Sequence, residues 1–400
     1  MRKVSRSAVL VSGAILQLFL GIIYVWSVFV LPVSEEYGWP VADAKLVSSF
    51  LLGFFVLGML GGGRMERRLG THRQALAGGT LLAIGMAATA FIPAGSGWLI
   101  CLTYGVAGGF GVGMGYGAVV SCVPKWYPEK RGLATGVSVC AFGFSTVVFA
   151  PLIGELIRRY SVRSAFLILG AAFLLVTLAF SSFVRLPEAA GGGRKTDGRG
   201  NRQYTTREMI TTGRFFLITC SLMLGTSAFF ILNPSFVTLA NERNIGSMAT
   251  LIVMITGVAS AVGRLVFPLI SEKTGRETAT AIAIGLTALC SFALCFAQGP
   301  SFIVIVAVCA LCYGGYSGIY PLLTGDYFGL EYVGPNFAAV MCGFSVSALC
   351  FPMILTRLFA GTRLFVALGV LCLVGVGLVA ALAASKKATR ETAPGVASKT

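Results

Sequence analysis

Charge is scarce in this chain: only 12% of its 400 residues are Asp, Glu, Lys or Arg, against about 25% in an ordinary soluble domain. With 56% hydrophobic residues and a mean hydropathy of +0.85, water alone cannot be its solvent. Histidine is nearly missing, His72 being the single one. No His-Glu-x-x-His pattern and no paired acids occur inside an apolar stretch, so the groups an intramembrane enzyme needs for acid-base, nucleophilic or metal chemistry are lacking. No enzyme, metal site or cofactor is therefore expected. A Gly-Lys-Ser/Thr phosphate loop is also missing, which argues against ATP-driven work. Segments of about ten residues alternating apolar and polar, the mark of a membrane β-barrel, do not occur. The 11 cysteines lack the paired spacing of a disulfide framework or metal site and read as small packing residues.

Long apolar runs are present instead. Stretches of about 20 residues, each able to cross a hydrocarbon core of about 30 Å as a helix, lie near 8–33, 44–64, 73–93, 97–121, 131–157, 163–184, 213–240, 247–271, 277–297, 300–325, 332–358 and 363–384. The first is too long for a signal segment and lacks a small-residue cleavage site, so it is expected to stay. The fold class expected is all-α integral membrane, with twelve transmembrane helices.

A formal charge of +16 would suit nucleic acid, but the loops explain it. If the N-terminus is cytoplasmic, inside segments hold 23 Lys and Arg, outside loops seven, and Arg264 alone lies deep in a span. The positive-inside rule then puts both termini in the cytoplasm of a plasma (bacterial inner) membrane protein, with lipid and not nucleic acid as its surroundings. The one long connection, 185–212, contains Gly191-Gly192-Gly193-Arg194-Lys195 and reads as a flexible, basic cytoplasmic linker. It separates an N-terminal six-helix bundle (1–184) from a C-terminal one (213–384), with a cytoplasmic tail at 385–400. Internal echoes support two halves: Gly143-Phe144-Ser145 before Pro151 is matched by Gly343-Phe344-Ser345 before Pro352, and Trp126-Tyr127 by Tyr327-Phe328. Repeated halves suggest alternating access to a central site.

Gly105, Gly109, Gly113 and Gly117 share one face of the fourth stretch, with Gly111 and Gly115 beside it, so a neighbouring helix can approach closely. After the second stretch comes Gly62-Gly63-Arg64-Met65-Glu66-Arg67-Arg68-Leu69-Gly70, and after the eighth a degenerate copy, Ser271-Glu272-Lys273-Thr274-Gly275-Arg276. The first resembles the cytoplasmic signature of the major facilitator superfamily. That resemblance implies a conformational latch of Glu66 and Arg67, repeated by Glu272 and Arg276. Within the superfamily the chain resembles the oxalate:formate antiporter and monocarboxylate transporter group across essentially all twelve stretches. The likeness rests on Gly21-Ile22-Ile23-Tyr24-Val25-Trp26-Ser27-Val28-Phe29, on Lys125-Trp126-Tyr127-Pro128-Glu129-Lys130-Arg131-Gly132-Leu133-Ala134-Thr135-Gly136, and on Asp326-Tyr327-Phe328-Gly329.

Arg264 needs a reason for its depth, since a charge at mid-helix costs roughly 2.5 to 3.5 kcal/mol. No Asp or Glu lies near the middle of any span, so the missing counter-ion is read as the substrate. A guanidinium offers forked donors that match a carboxylate, and the family resemblance likewise implies that an arginine of helix 8 binds the substrate carboxylate. Tyr24, Tyr116, Tyr316 and Tyr320 offer hydroxyls and aromatic walls on helices that line the cavity in that family, although core packing explains membrane tyrosines equally well. Oxalate-handling members carry a lysine in helix 11 where this chain has Phe344. One cation instead of two favours a monocarboxylate such as lactate, pyruvate or formate and demotes oxalate. Ser260 stands where animal monocarboxylate transporters place an acid, so proton symport is left open. Lys45 and His72 are read as solvated end and loop residues. The transport unit is expected to be a monomer. Alternatives are an oxalate:formate-type exchanger, a drug or sugar carrier lined by Phe142, Phe144 and Phe344, and a membrane sensor that moves nothing.

Overall fold

The computed structural model describes residues 5–127, 131–187, 203–329 and 332–391, and every regular element among them is helical. In chain order the long helical segments are α1 (Arg6–Tyr37), α2 (Val41–Glu66), α3 (Thr71–Ala90), α4 (Cys101–Trp126), α5 (Gly136–Arg159), α6 (Val162–Phe183), α7 (Gly213–Glu242), α8 (Gly246–Thr274), α9 (Arg276–Ala293), α10 (Pro300–Phe328), α11 (Pro335–Leu358) and α12 (Thr362–Ser385). Ten are long and apolar enough to cross a membrane. The other two, α3 and α9, open on His72-Arg73-Gln74 and Arg276-Glu277, which shortens their apolar part. Large apolar side chains such as Phe91, Leu175, Leu289 and Phe296 are exposed, while Gln17, Gln74, Asn233 and many hydroxyls are buried. A polar interior within an apolar exterior is what a hydrocarbon solvent favours.

Local chemistry sets the helix ends. Ser5, Ser161 and Thr212 accept backbone N–H bonds at N-caps, occupying donors that a helix start leaves free. Gly70 and Gly275 end the helices before α3 and α9 with φ of 86° and 92°, a region open to glycine at little cost. They return N–H bonds to the carbonyls of Glu66 and Ser271.

Glycine also sets the spacing between helices. A side chain on Gly113 would strike the Phe55 carbonyl, and one on Gly109 the Leu51 carbonyl, so α4 lies directly on α2; Gly117 stands further off. Gly111 meets Gly78 of α3 instead. α5 packs on α8 and α11 on α2.

The connection expected to be flexible from 185 to 212 is anchored at both ends. Trp126 Nε1 donates to the Arg185 carbonyl at 2.7 Å. Residues 203–212 form a single capped turn at Thr206–Met209, tied to the rest by Tyr204 N to Phe328 O at 2.9 Å and by Thr206 Oγ1 to Asn336 Oδ1 at 2.8 Å. The Thr205 and Glu208 capping box explains this order in a polar stretch. The glycine run 191–193 and the tail beyond 391 lie outside the described residues, as do Pro128, Glu129 and Lys130.

Candidate functional site: a buried arginine in an aromatic enclosure

Arg264 is 5% exposed. Its direction follows from the contact of α8 with α10, because side chains on Gly263 and Gly314 would collide with the Leu311 and Ser260 carbonyls. With the backbones of α8 and α10 in contact there, Arg264 turns away from α10 toward α1 and α5. Nη1 donates to the Val139 carbonyl at 2.8 Å and Nη2 to the Tyr24 hydroxyl at 3.3 Å. Nε has no partner, and among the described residues no carboxylate forms an ion pair with the group.

Tyr24 reaches this place because α1 tightens into a 3₁₀ turn over Gly21–Val25, just where Gly21 meets the Phe142 carbonyl of α5. Its hydroxyl lies 2.9 Å from that of Tyr313. Two hydroxyls carry two protons and only one can lie between them, so the other remains free to be donated. The guanidinium carbon sits 5.4 Å from the Phe142 ring centre and 5.6 Å from that of Tyr24, close enough for cation–π attraction. Phe229 stacks on Tyr313 at 3.8 Å, and Phe344 lies between Phe230 (4.6 Å) and Phe55 (6.1 Å). Tyr116 stands edge-on to Phe142 and Phe55, each at 5.1 Å.

Of the residues expected at the site, Arg264, Tyr24, Tyr116 and Phe344 therefore share one aromatic enclosure. Tyr316 and Tyr320 are not brought to it. The Tyr316 hydroxyl pairs with Thr287 at 2.7 Å and donates to the Ala283 carbonyl at 3.2 Å, while that of Tyr320 pairs with Ser221 at 2.9 Å. Both are satisfied against α9 and α7, because the rotation of α10 that seats Gly314 on α8 directs them there. Tyr313 takes the place beside Arg264. The sequence carries a signal for it: it lies at the middle of Pro300–Phe328, the depth at which a mid-membrane arginine needs a partner. The Val139 carbonyl leaves no such trace.

The latch residues separate in the same way. Glu66 Oε1 accepts from Ser121 Oγ at 2.9 Å and Thr71 Oγ1 at 3.3 Å, joining the ends of α2, α3 and α4. The side chain of Arg67 lies outside the described residues. In the second copy Arg276 Nη1 bonds Ser271 Oγ and Nε pairs with Asp326 Oδ2 at 3.6 Å, whereas Glu272 is exposed and in no ion pair among the described residues. The two cap glycines account for this placement: with Gly70 matched to Gly275, Glu66 corresponds to Ser271 and Thr71 to Arg276. Glu272, one position on, is rotated outward, and Asp326 supplies the acid.

A sequence model of the Major Facilitator Superfamily matches residues 11–349. The chain is 25% identical over 356 residues to an uncharacterized transporter of that type from Escherichia coli (strain K12), covering 86% of each chain. It is 26% identical to the oxalate:formate antiporter of Oxalobacter formigenes, over 79% of this chain and 76% of that one. To apicoplast pyruvate carrier 1 of Toxoplasma gondii it is 23% identical, over 79% and 70%.

Proposed function

This chain belongs to the major facilitator superfamily, and we propose that it is a secondary carrier of small monocarboxylates, of the lactate, pyruvate or formate class, in which Arg264 binds the carboxylate. One observation carries the reading: a buried guanidinium with an unpartnered Nε and, among the described residues, no carboxylate in an ion pair with it. A carboxylate entering the enclosure meets Nε–H and the spare Nη protons on one side and the free hydroxyl proton of the Tyr24–Tyr313 pair on the other. Charge-assisted bonds of this kind are about twice as strong as neutral ones, and the aromatic walls keep competing water out. The printed names of the relatives, which include an oxalate:formate antiporter and a pyruvate carrier, agree with a small carboxylate. A single cation in the enclosure, with Phe344 where a second would stand, favours one carboxylate over two.

The wider scheme is twelve spans in two six-helix halves, joined by the segment after α6, with both termini cytoplasmic in a plasma membrane. Arg264 on α8 bonds Val139 on α5 and Tyr24 on α1, so a bond between halves forms part of the binding site. Substrate that takes over the guanidinium's donors loosens that bond, which couples occupancy to the rocking of the halves. Glu66 and the Arg276–Asp326 pair steady the helix ends on the cytoplasmic side. Uptake of labelled lactate into proteoliposomes, with and without an inward proton gradient, tests the proposal. Uptake that depends on Arg264 supports it, and its response to the gradient decides symport; absence of carboxylate uptake overturns it.

A further inference from the structure

Of the seven Lys and Arg residues in the outward-facing loops, Arg363 is exposed and outside the cavity that three of the others line, and the other six fall into two kinds. Arg158 and Arg159 pair with Glu155, and Arg163 with Glu36 at 3.3 Å. Lys45, Arg243 and Arg357 instead line one cavity of about 520 Å³ between the ends of α2, α7, α9 and α11. None of these three has a carboxylate within ion-pairing distance among the described residues. Asp43 and Glu242 also line the cavity; like Arg357 they are exposed, and the charge of Glu242 acts on Lys45 and Arg243 without closing an ion pair, so three cations stand against two acids. Lys45 is half-buried, which makes its unpaired charge costlier. Arg243 is held by the Ala297 carbonyl at 3.2 Å and by the face of Phe302 at 4.6 Å, partners that fix it without neutralising it.

The cavity adjoins the enclosure along α7. Its wall includes Ile231, Leu232 and Pro352. The residues just before the first two, Phe229 and Phe230, belong to the aromatic layer with Tyr313 and Phe344. Beneath that layer is Arg264. Cations that the positive-inside rule disfavours on this face thus outnumber the acids at a cavity that adjoins the aromatic layer of the enclosure.

We propose that this cavity is a second anion site, an antechamber in which Lys45, supported by Arg357 and Arg243, holds a small carboxylate above the aromatic layer before Arg264 receives it. The inference rests on the reading of the chain as a carboxylate carrier. At this volume, several waters enter with the anion, so the site exchanges quickly and acts mainly by raising the local anion concentration, as a charged cleft does.

Cys295 lines the same cavity and serves as a built-in reporter. The full-length protein in liposomes is treated with a sulfonate-bearing or a trimethylammonium-bearing methanethiosulfonate of similar size, and labelling of Cys295 is read by peptide mass spectrometry. The expected result is labelling about 10-fold faster by the anionic reagent, slowed by lactate, with both effects reduced in Lys45→Gln and restored in Lys45→Arg. Repeating the lactate protection in Arg264→Ala separates the two sites: protection that persists there supports the antechamber even if the reading of Arg264 fails. Equal rates for the two reagents, lack of lactate protection, or failure of both reagents to reach Cys295 would overturn it, whatever Arg264 does in transport.

Discussion

The Nη1 of Arg264 donates to the Val139 carbonyl at 2.8 Å, joining α8 to α5 across the middle of the chain by the side chain taken to receive substrate. Breaking a buried, hydrogen-bonded charge costs about 2 to 5 kcal/mol. Arg264→Ala is therefore expected to lower kcat/KM for lactate by about 30-fold or more. Arg264→Lys keeps the charge but loses the fork and is expected to recover only a small part, measured by initial uptake rates.

Tyr24→Phe removes the hydroxyl between Arg264 and Tyr313. A hydrogen bond of about 1 to 2 kcal/mol corresponds to a KM raised about 5- to 30-fold. Tyr313→Phe should act similarly, and the double variant should fall short of the sum because one hydroxyl pair is shared.

Tyr316→Phe and Tyr320→Phe serve as the contrast. Each removes one hydrogen bond, at about 1 kcal/mol, since Thr287 and Ser221 keep their bonds to the Ala283 and Ile218 carbonyls. Both should lower the thermal midpoint and leave the KM for lactate unchanged.

Phe344→Lys places a second cation in the enclosure, against Phe230 and Phe55. It should destabilise the protein by about 2.5 to 3.5 kcal/mol and shift competition from lactate toward oxalate, read by inhibition of lactate uptake.

His72, expected in a loop, lies in the first turn of α3, ahead of its apolar part. Partial burial, then the charges of Arg185 and Arg73, hold its pKa below the usual 6.5. A folded-state pKa below the unfolded one favours folding above pH 6.5 and loses that contribution as pH falls below it. Acidification from pH 6.5 should therefore lower the melting midpoint more in the native chain than in His72→Gln, while their transport profiles between pH 7 and 8 coincide.

Much of this was open to reading from the residues. Apolar runs gave each helix because hydrocarbon demands internal backbone bonding, and Arg264 stood out as the one cation deep in a span. Tyr24 followed from the family resemblance. Rotation about a helix axis was not readable: whether Tyr313, Tyr316 or Tyr320 meets Arg264 depends on how Gly314 seats α10 on α8. Register was equally hidden at the second cationic turn, where the cap at Gly275, and not the nearest acid, decides that Glu272 points outward and Asp326 pairs with Arg276. The ordered end of the linker was missed because a capping box outweighs a polar composition.

The most direct measurement is equilibrium binding of lactate and of its neutral isostere lactamide to the purified protein, native and Arg264→Ala. The native chain is predicted to bind lactate and not lactamide, and the variant to bind neither at the enclosure. Lactate bound by Arg264→Ala as tightly as by the native chain would contradict the central role given to this arginine.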